Sequence, residues 1–390
     1  MTDRRTRRHT TAPPVIVATE EELRELLSDL LTQPAVAVDT ESNSLYAYHE
    51  RVCLIQISTG DGDFIVDPLA GFDLSPLGAL FADPFIQKVF HAAEQDVANL
   101  KRDFGFRFAN LFDTMWAARI LGWPHIGLAD ILEERFGVHT DKRYQRYNWG
   151  KRPLSMEALK YARRDTHYLL PLRDLQAEAL RQQGRAEEAA EVFQQLTQTP
   201  PASNPFGPSA FWRLKGLDSL PPKERAVLYE LFLWRDREAE RRDVPPFRVM
   251  GERTMRVLAR LRPHTQEELA RLHLLRRRTL QRYGRAILEA IARGERNPPP
   301  TPPTAPPPPD ESVTHRYQAL RAWRRQVAAQ RGVQSDVVLP NGVLWALAER
   351  NPSSLDELIG IPGLGPWKRK TYGPAILKIL AISNEQRGSP

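Results

Sequence analysis

A single cysteine in 390 residues leaves no partner for an internal disulfide. Cys53 sits in the apolar run VCLIQIS, where it reads as a small buried hydrophobe. Such cysteine usage fits a reducing, cytoplasmic setting. Long hydrophobic runs are also missing, since nothing approaches the roughly twenty apolar residues of a membrane span. The first residues, MTDRRTRRHTTAPP, are basic and polar and hold no apolar h-region, so no secretory signal is expected. Residues 1–14 read as a disordered basic arm. A single ordinary core is excluded by length, and two or three domains are expected.

The net charge of +7 is unevenly spread. Residues 1–200 carry −6, residues 201–296 carry +9 and residues 311–390 carry +5. An acidic first half joined to basic later parts suggests that catalysis and polyanion binding are divided between domains. Arg-rich helical surfaces would produce the same totals without any ligand.

Two breaks punctuate the chain. The segment NPPPTPPTAPPPPD (297–310) is nearly all proline, so it reads as a semi-rigid spacer between domains. A softer break lies in QTPPASNPFGPS, near 198–209. On either side of the spacer the chain repeats itself at a gap-free offset of 89. That offset relates Trp234-Arg235 to Trp323-Arg324, Pro263 to Pro352, Glu268-Leu269 to Glu357-Leu358, and YGRAIL (283–288) to YGPAIL (372–377). Two copies of one small helical module are expected, at 208–296 and 311–390. The second copy carries IGIPGLGPWKRK, a glycine-rich turn leading into a basic helix start. Backbone N–H groups there, with Lys368, Arg369 and Lys370, are candidates to meet nucleic-acid phosphates.

Residues 15–197 read as α/β. VIVAT, AVAVD, VCLIQIS, DFIVD and KVFH alternate or run apolar like strands, and the chain is mainly helical from 94 to 195. Thr19 and Glu22 form a capping-box pattern ahead of the first helix.

Within this domain the stretch AVAVDTES (35–42) sends four small apolar residues into Asp39 and Glu41. On a strand these two carboxylates share a face, where like charges repel unless a cation lies between them. Alone, D-x-E is a common tripeptide, but two further sites support a ligand role. Asp96 falls early in a helix that follows a strand, and Asp165 lies four residues after Tyr161 on one face of an apolar helix. Four carboxylates beside a tyrosine suit two-cation phosphodiester hydrolysis, in which ions about 4 Å apart activate a water and stabilise the leaving oxygen. The phenol can orient that water, although with a pKa near 10 it is a poor base. His91 reads as structural, Asp113 as a helix cap, and His167 and Tyr168 receive no role.

These motifs resemble the ribonuclease D family, the tyrosine-bearing branch of the DEDD 3′-to-5′ exonucleases. DTE, HAAEQD and YARRD are similar to its three motifs, and FDTMWAARILG and NWGKRPLSMEALKYA to its connecting segments, over about 15–180. Ser42 departs from the bulky aromatic that some members carry there. The helical copies resemble HRDC domains, nucleic-acid-binding units. The resemblance implies a ribonuclease H-like mixed sheet flanked by helices, then two all-α modules. It further implies catalysis by Asp39, Glu41, Asp96, Tyr161 and Asp165, with the four acids binding two divalent cations, Mg²⁺ or Mn²⁺. The expected substrate is RNA with a free 3′ end, tRNA precursors included, acted on by a monomer. A 3′-to-5′ DNA exonuclease and a catalytically silent nucleic-acid scaffold are the alternatives.

Overall fold

The computed structural model describes residues 13–139, 142–304 and 308–388. The expected basic arm therefore lies almost wholly outside the described residues. The described chain forms two compact units, one of residues 13–41, 52–202 and 308–388, the other of 42–51 with 203–304.

The first unit holds one six-stranded mixed sheet, ordered β1-β4-β3-β2-β5-β6. Its strands are β1 (Val15–Val17), β2 (Ala35–Ser42), β3 (Val52–Ser58), β4 (Asp63–Val66), β5 (Gln87–Phe90) and β6 (Leu111–Asp113). β2 runs parallel to β5 and β5 to β6, whereas β3 and β4 are antiparallel. β3 is buried at every position, the polar Gln56 and Ser58 included, and β2 from Ala35 to Val38, which is why both strands are predominantly apolar. Cys53 is one of those fully buried residues.

Among the described residues, the helices of the sheet domain are α1 (Glu20–Leu30), α2 (Leu77–Ala82), α3 (Glu94–Phe104), α4 (Thr114–Leu121), α5 (Leu128–Phe136), α6 (Met156–His167), α7 (Leu169–Gln182) and α8 (Ala186–Thr197). α1 starts on the expected capping box, with Thr19 and Glu22 each accepting from the other's backbone N–H. α6 is tied to β4 through Asp63, which accepts from Arg163, Ser58 and the His167 ring. His167 thus has a structural place that the sequence did not reveal.

In the second unit, α9 (Pro222–Arg241), α10 (Pro246–Val249), α11 (Glu252–Leu261), α12 (Gln266–Arg271) and α13 (Arg277–Arg296) form the first helical module. Residues 42–51 cluster with it. Tyr48 Oη donates to Asp236 at 3.0 Å, and the backbone N–H groups of Tyr48 and His49 donate to Asp243.

The second module comprises α14 (Glu311–Arg331), α15 (Ser335–Val338), α16 (Asn341–Arg350), a 3₁₀ turn at Asp356–Leu358, and α17 (Pro366–Gly388). α14, α15, α16 and α17 each begin 89 residues after α9, α10, α11 and α13. Arg235 and Arg324 are both buried, each donating to a backbone carbonyl fifteen residues on, Met250 and Leu339. The same interior polar bond therefore recurs in both copies.

The second module has its own core around Leu320, Leu344, Leu347 and Ile376, yet it packs in the same unit as the sheet domain. Val337 enters the sheet domain's core, and Arg331 forms a two-pronged pair with Glu188 of α8, at 2.9 and 2.5 Å. Glu188 is fully buried, so loss of the arginine strands its charge away from water. Arg331→Met should destabilise the first unit by about 3–5 kcal/mol. Urea unfolding followed by tryptophan fluorescence measures this. A shift below about 1 kcal/mol, the range of exposed pairs, would mean that the pair is not buried in solution.

Candidate active site

β5 pairs with β2 only as far as Ala37, so the last residues of β2 project past the end of β5. Asp39 and Glu41 stand on this projecting end, near the carboxyl edge of the parallel strands, where α/β sheets place ligands. α6 contributes Asp165. One carboxylate oxygen from each of Asp39, Glu41 and Asp165 lies within 4.8 Å of the others, and all three residues are half-buried. Asp96, in the first turn of α3, lies outside that tight trio. It is 9% exposed and accepts a short hydrogen bond from Thr40 Oγ1. It is near enough to Asp39 to repel its charge.

Proton affinities reflect this crowding. Burial, then Asp96, Asp165 and Glu41 in turn, hold the Asp39 carboxyl well above the ordinary carboxylate range. Burial first, then Asp165 and Asp96, push Glu41 up to about 9. Desolvation raises Asp96 and Asp165 to about 7 each. Four carboxyls gathered with so little compensating positive charge are unstable as anions. The donor set is all hard oxygen, the chemistry that suits a divalent cation. The site therefore fits the cation dependence of its class.

Tyr161 lies one turn before Asp165 on α6. Its ring packs beside Tyr144 at 5.5 Å and Trp149 at 6.2 Å, centroid to centroid, and it is neither fully buried nor fully exposed. The aromatic packing fixes the ring on the face that carries Asp165.

Asp113 caps α4 as expected, accepting from the N–H groups of Met115 and Trp116. It does more than that. Its two carboxylate oxygens also accept from Ala92 and Ala93, at 3.2 and 2.7 Å. Ala92 is left-handed (φ 64°), a costly state for a residue with a Cβ. Asp113 therefore braces the turn that aims α3, and with it Asp96. His91 is structural, with Nδ1 2.9 Å from Thr114 Oγ1 and its pKa depressed by burial to about 4.

The basic trio expected to meet phosphates is partly corrected. Lys368 is 2% exposed and lies under α8, and burial lowers the pKa of its ammonium despite Glu191 and Glu188 nearby. The turn's N–H groups are also taken: Trp367 and Lys368 donate to Glu191 Oε2 at 2.6 and 3.3 Å. Gly365 is required there, because a Cβ would fall 2.2 Å from Glu191 Cδ. Arg369 is half-buried and Lys370 exposed, so only these two of the trio can reach a ligand.

An acidic cluster at the carboxyl edge of a mixed sheet, followed by two helical copies, is the arrangement of a 3′-5′ exonuclease domain with two appended helical modules. A sequence model for 3′-5′ exonuclease domains matches residues 14–179, and one for HRDC domains matches 224–291 and 314–380. The chain is 30% identical to ribonuclease D of Nitrobacter hamburgensis over 379 residues, covering 95% of this chain and 97% of that one. Escherichia coli RNase D, described as an exoribonuclease involved in structured RNA processing, superposes with a TM-score of 0.66 at 25% identity, over 95% of this chain and 99% of that one. The RRP6 catalytic core of Trypanosoma brucei gives a TM-score of 0.63 at 31% identity, over 73% and 80% of the respective chains. The chain belongs to the ribonuclease D family.

The raised carboxyls make a pH prediction. Glu41 holds its proton up to about pH 9 when folded, whereas an unfolded glutamate releases it near pH 4.3. The folded state then binds more protons, so the contribution of Glu41 to stability falls as pH rises between those values. In cation-free buffer, raising the pH from 6 to 8 should destabilise the wild type more than Glu41→Gln. Added Mn²⁺ at pH 8 should restore the wild type alone. Thermal melts at each pH read both effects, and parallel curves for the two proteins would contradict the cluster's electrostatics.

Proposed function

We propose that this protein shortens RNA from free 3′ ends, releasing nucleoside 5′-monophosphates, with Asp39, Glu41, Asp96 and Asp165 as ligands for two divalent cations. The observation that carries this reading is the mutual approach of Asp39, Glu41 and Asp165 on the projecting end of β2 and the facing helix α6. Bound cations would supply Lewis-acid stabilisation of the leaving oxygen and a nucleophilic water at neutral pH. The chain's own residues hold the rest of the arrangement. Asp39 faces both Glu41 and Asp165 and is the natural shared ligand. The Thr40 hydroxyl keeps Asp96 beside Asp39. Tyr161, locked by its aromatic neighbours, orients the attacking water through its hydroxyl without acting as the base.

The approach of Asp39, Glu41 and Asp165, with Asp96 near Asp39, supports an active enzyme over the silent-scaffold alternative, and similarity to ribonuclease D over 95% of the chain favours RNA over DNA. Structured RNAs, tRNA precursors among them, are the proposed substrates, because the E. coli neighbour is described as acting on structured RNA. No described helix is long and apolar enough to cross a membrane. A cytoplasmic site of action is proposed from the low cysteine usage, one in 390 residues, together with the bacterial relatives.

Asp39→Asn and Asp165→Asn should each abolish shortening of a 5′-labelled RNA while leaving the protein folded and able to bind RNA. Chelation of divalent cations should do the same to the wild type. Tyr161→Phe keeps the ring packing and should lower the single-turnover rate by about 10²-fold. Its RNA affinity should not change. An Asp39→Asn protein that cleaves at the wild-type rate in Mg²⁺ would refute the site. A fully active Tyr161→Phe would remove only the water-orienting role.

A further inference from the structure

Apolar packing holds only the first part of α6. Its buried residues Ala158, Leu159 and Ala162 share one cluster with Cys53 and Leu54 of β3, Ile65 of β4, and Trp149. Such contact has no preferred direction, and two of the three helix side chains are alanines. It leaves the rotation of the helix about its own axis loosely specified. Beyond Ala162 the one buried residue of α6 is Thr166, and the ties of this part to the sheet are polar.

Three side chains from the last five residues of α6 converge on the β3–β4 hairpin. Arg163 pairs with Asp63, and the His167 ring donates from Nδ1 to Asp63 Oδ2 at 2.9 Å. Thr166 Oγ1 lies 2.6 Å from Ser58 Oγ. Ser58 itself donates to Asp63 at 2.7 Å and faces it across the antiparallel register. The Asp63 side chain is 5% exposed and stands on a strand, so it is a fixed point. Arg163 and His167 are four residues apart on one helix face. Two directional bonds from that face to one carboxylate set an angle about the helix axis as well as a position along it.

Asp165 lies between these anchors, in the last turn of α6, with an oxygen within 4.8 Å of oxygens from Asp39 and Glu41. Like charges at that range push the end of the helix away from β2. The hold of Asp63 on Arg163 and His167 opposes that push. Tyr161, one turn before Asp165, turns with the same helix. Asp63 itself offers nothing to the acid cluster, because Ser58 engages one of its oxygens and Arg163 and His167 the other.

We propose that Asp63 is a positioning residue for the hydrolysis: through Arg163 and His167 it sets the rotation of α6, and so the places of Asp165 and Tyr161 opposite Asp39 and Glu41. It acts on the reaction only through the helix, as groups outside a metal's ligand set orient the ligands themselves. The inference rests on the two-cation reading of the site.

The test compares Asp63→Asn with the wild type in the full chain. Asparagine keeps the shape, removes the charge and sets an amide donor against Arg163 or His167. Mn²⁺ affinity, read from the electron paramagnetic resonance signal of the free ion, should fall about tenfold or more, the range for residues that orient metal ligands. The kcat on RNA should fall with it while KM stays unchanged. Tyr161→Phe should cost far less in the Asp63→Asn background than the ~10²-fold expected in the wild type, because a misplaced phenol has little left to lose. Wild-type Mn²⁺ affinity and turnover in Asp63→Asn overturn the proposal, as does an equal Tyr161→Phe penalty in both backgrounds. Two changes at His167 decide the matter if Asp63→Asn melts early. His167→Leu fills the space without the bond, whereas His167→Asn returns an N–H near the place of Nδ1. Mn²⁺ affinity lowered by leucine and restored by asparagine supports the role, and equal affinity in the two contradicts it. A wild type that binds Mn²⁺ yet leaves RNA intact would fail the exoribonuclease reading alone. Normal degradation by both the wild type and Asp63→Asn would fail only this inference.

Discussion

Repulsion among buried carboxyls is the constraint around which the catalytic unit is arranged. Ala35 to Val38 anchor β2 in the core, which lets the strand hold Asp39 and Glu41 rigidly at its projecting end. Every element near that end brings another acid or fixes one already there. α6 supplies Asp165, and α3 supplies Asp96 under the Thr40 hydroxyl. Asp113 clamps the left-handed Ala92 turn at the root of α3. A fold optimised only for stability would place a cation or an apolar residue among these groups. Keeping four acids together at a cost in stability is typical of a site whose favourable partner arrives from solution.

Duplication gave the protein two copies of one helical module, and the structure shows that copies need not keep the same contacts. Their interiors remain alike, down to the buried arginine donating to a carbonyl fifteen residues away. Their outer contacts have diverged. Loss of one internal acid, with valine at 327 where its counterpart is Glu238, left the second copy an arginine to be satisfied by α8. A net positive charge was consequently a poor guide to function in that copy, since Arg331 and Lys368 are spent on Glu188 and Glu191.

Much of this was legible in the sequence because it depends on short range or on repetition. The period-two placement of Asp39 and Glu41, the one-turn spacing of Tyr161 and Asp165, the Thr19 capping box and the 89-residue offset are all local or self-referential patterns. What was not legible depends on partners far along the chain. Lys368 looked like a free cation because nothing near it in sequence hints at Glu191, 177 residues earlier. Nothing near residues 42–51 in the sequence hints at Asp243, to which the Tyr48 and His49 N–H groups donate. Asp113 was recognisable as a cap, while its second pair of bonds, to Ala92 and Ala93, depends on β5 and β6 lying side by side.

The central claim is that cations resolve the repulsion at the end of β2. Crystals of the protein soaked in Mn²⁺ and measured at the manganese absorption edge test it directly, because the anomalous signal locates the metal independently of any activity. The account predicts a peak ligated by Asp39, Glu41 and Asp165, absent from Asp39→Asn crystals treated identically. Saturating Mn²⁺ with no peak among these carboxylates, or an undiminished peak in Asp39→Asn, would contradict it.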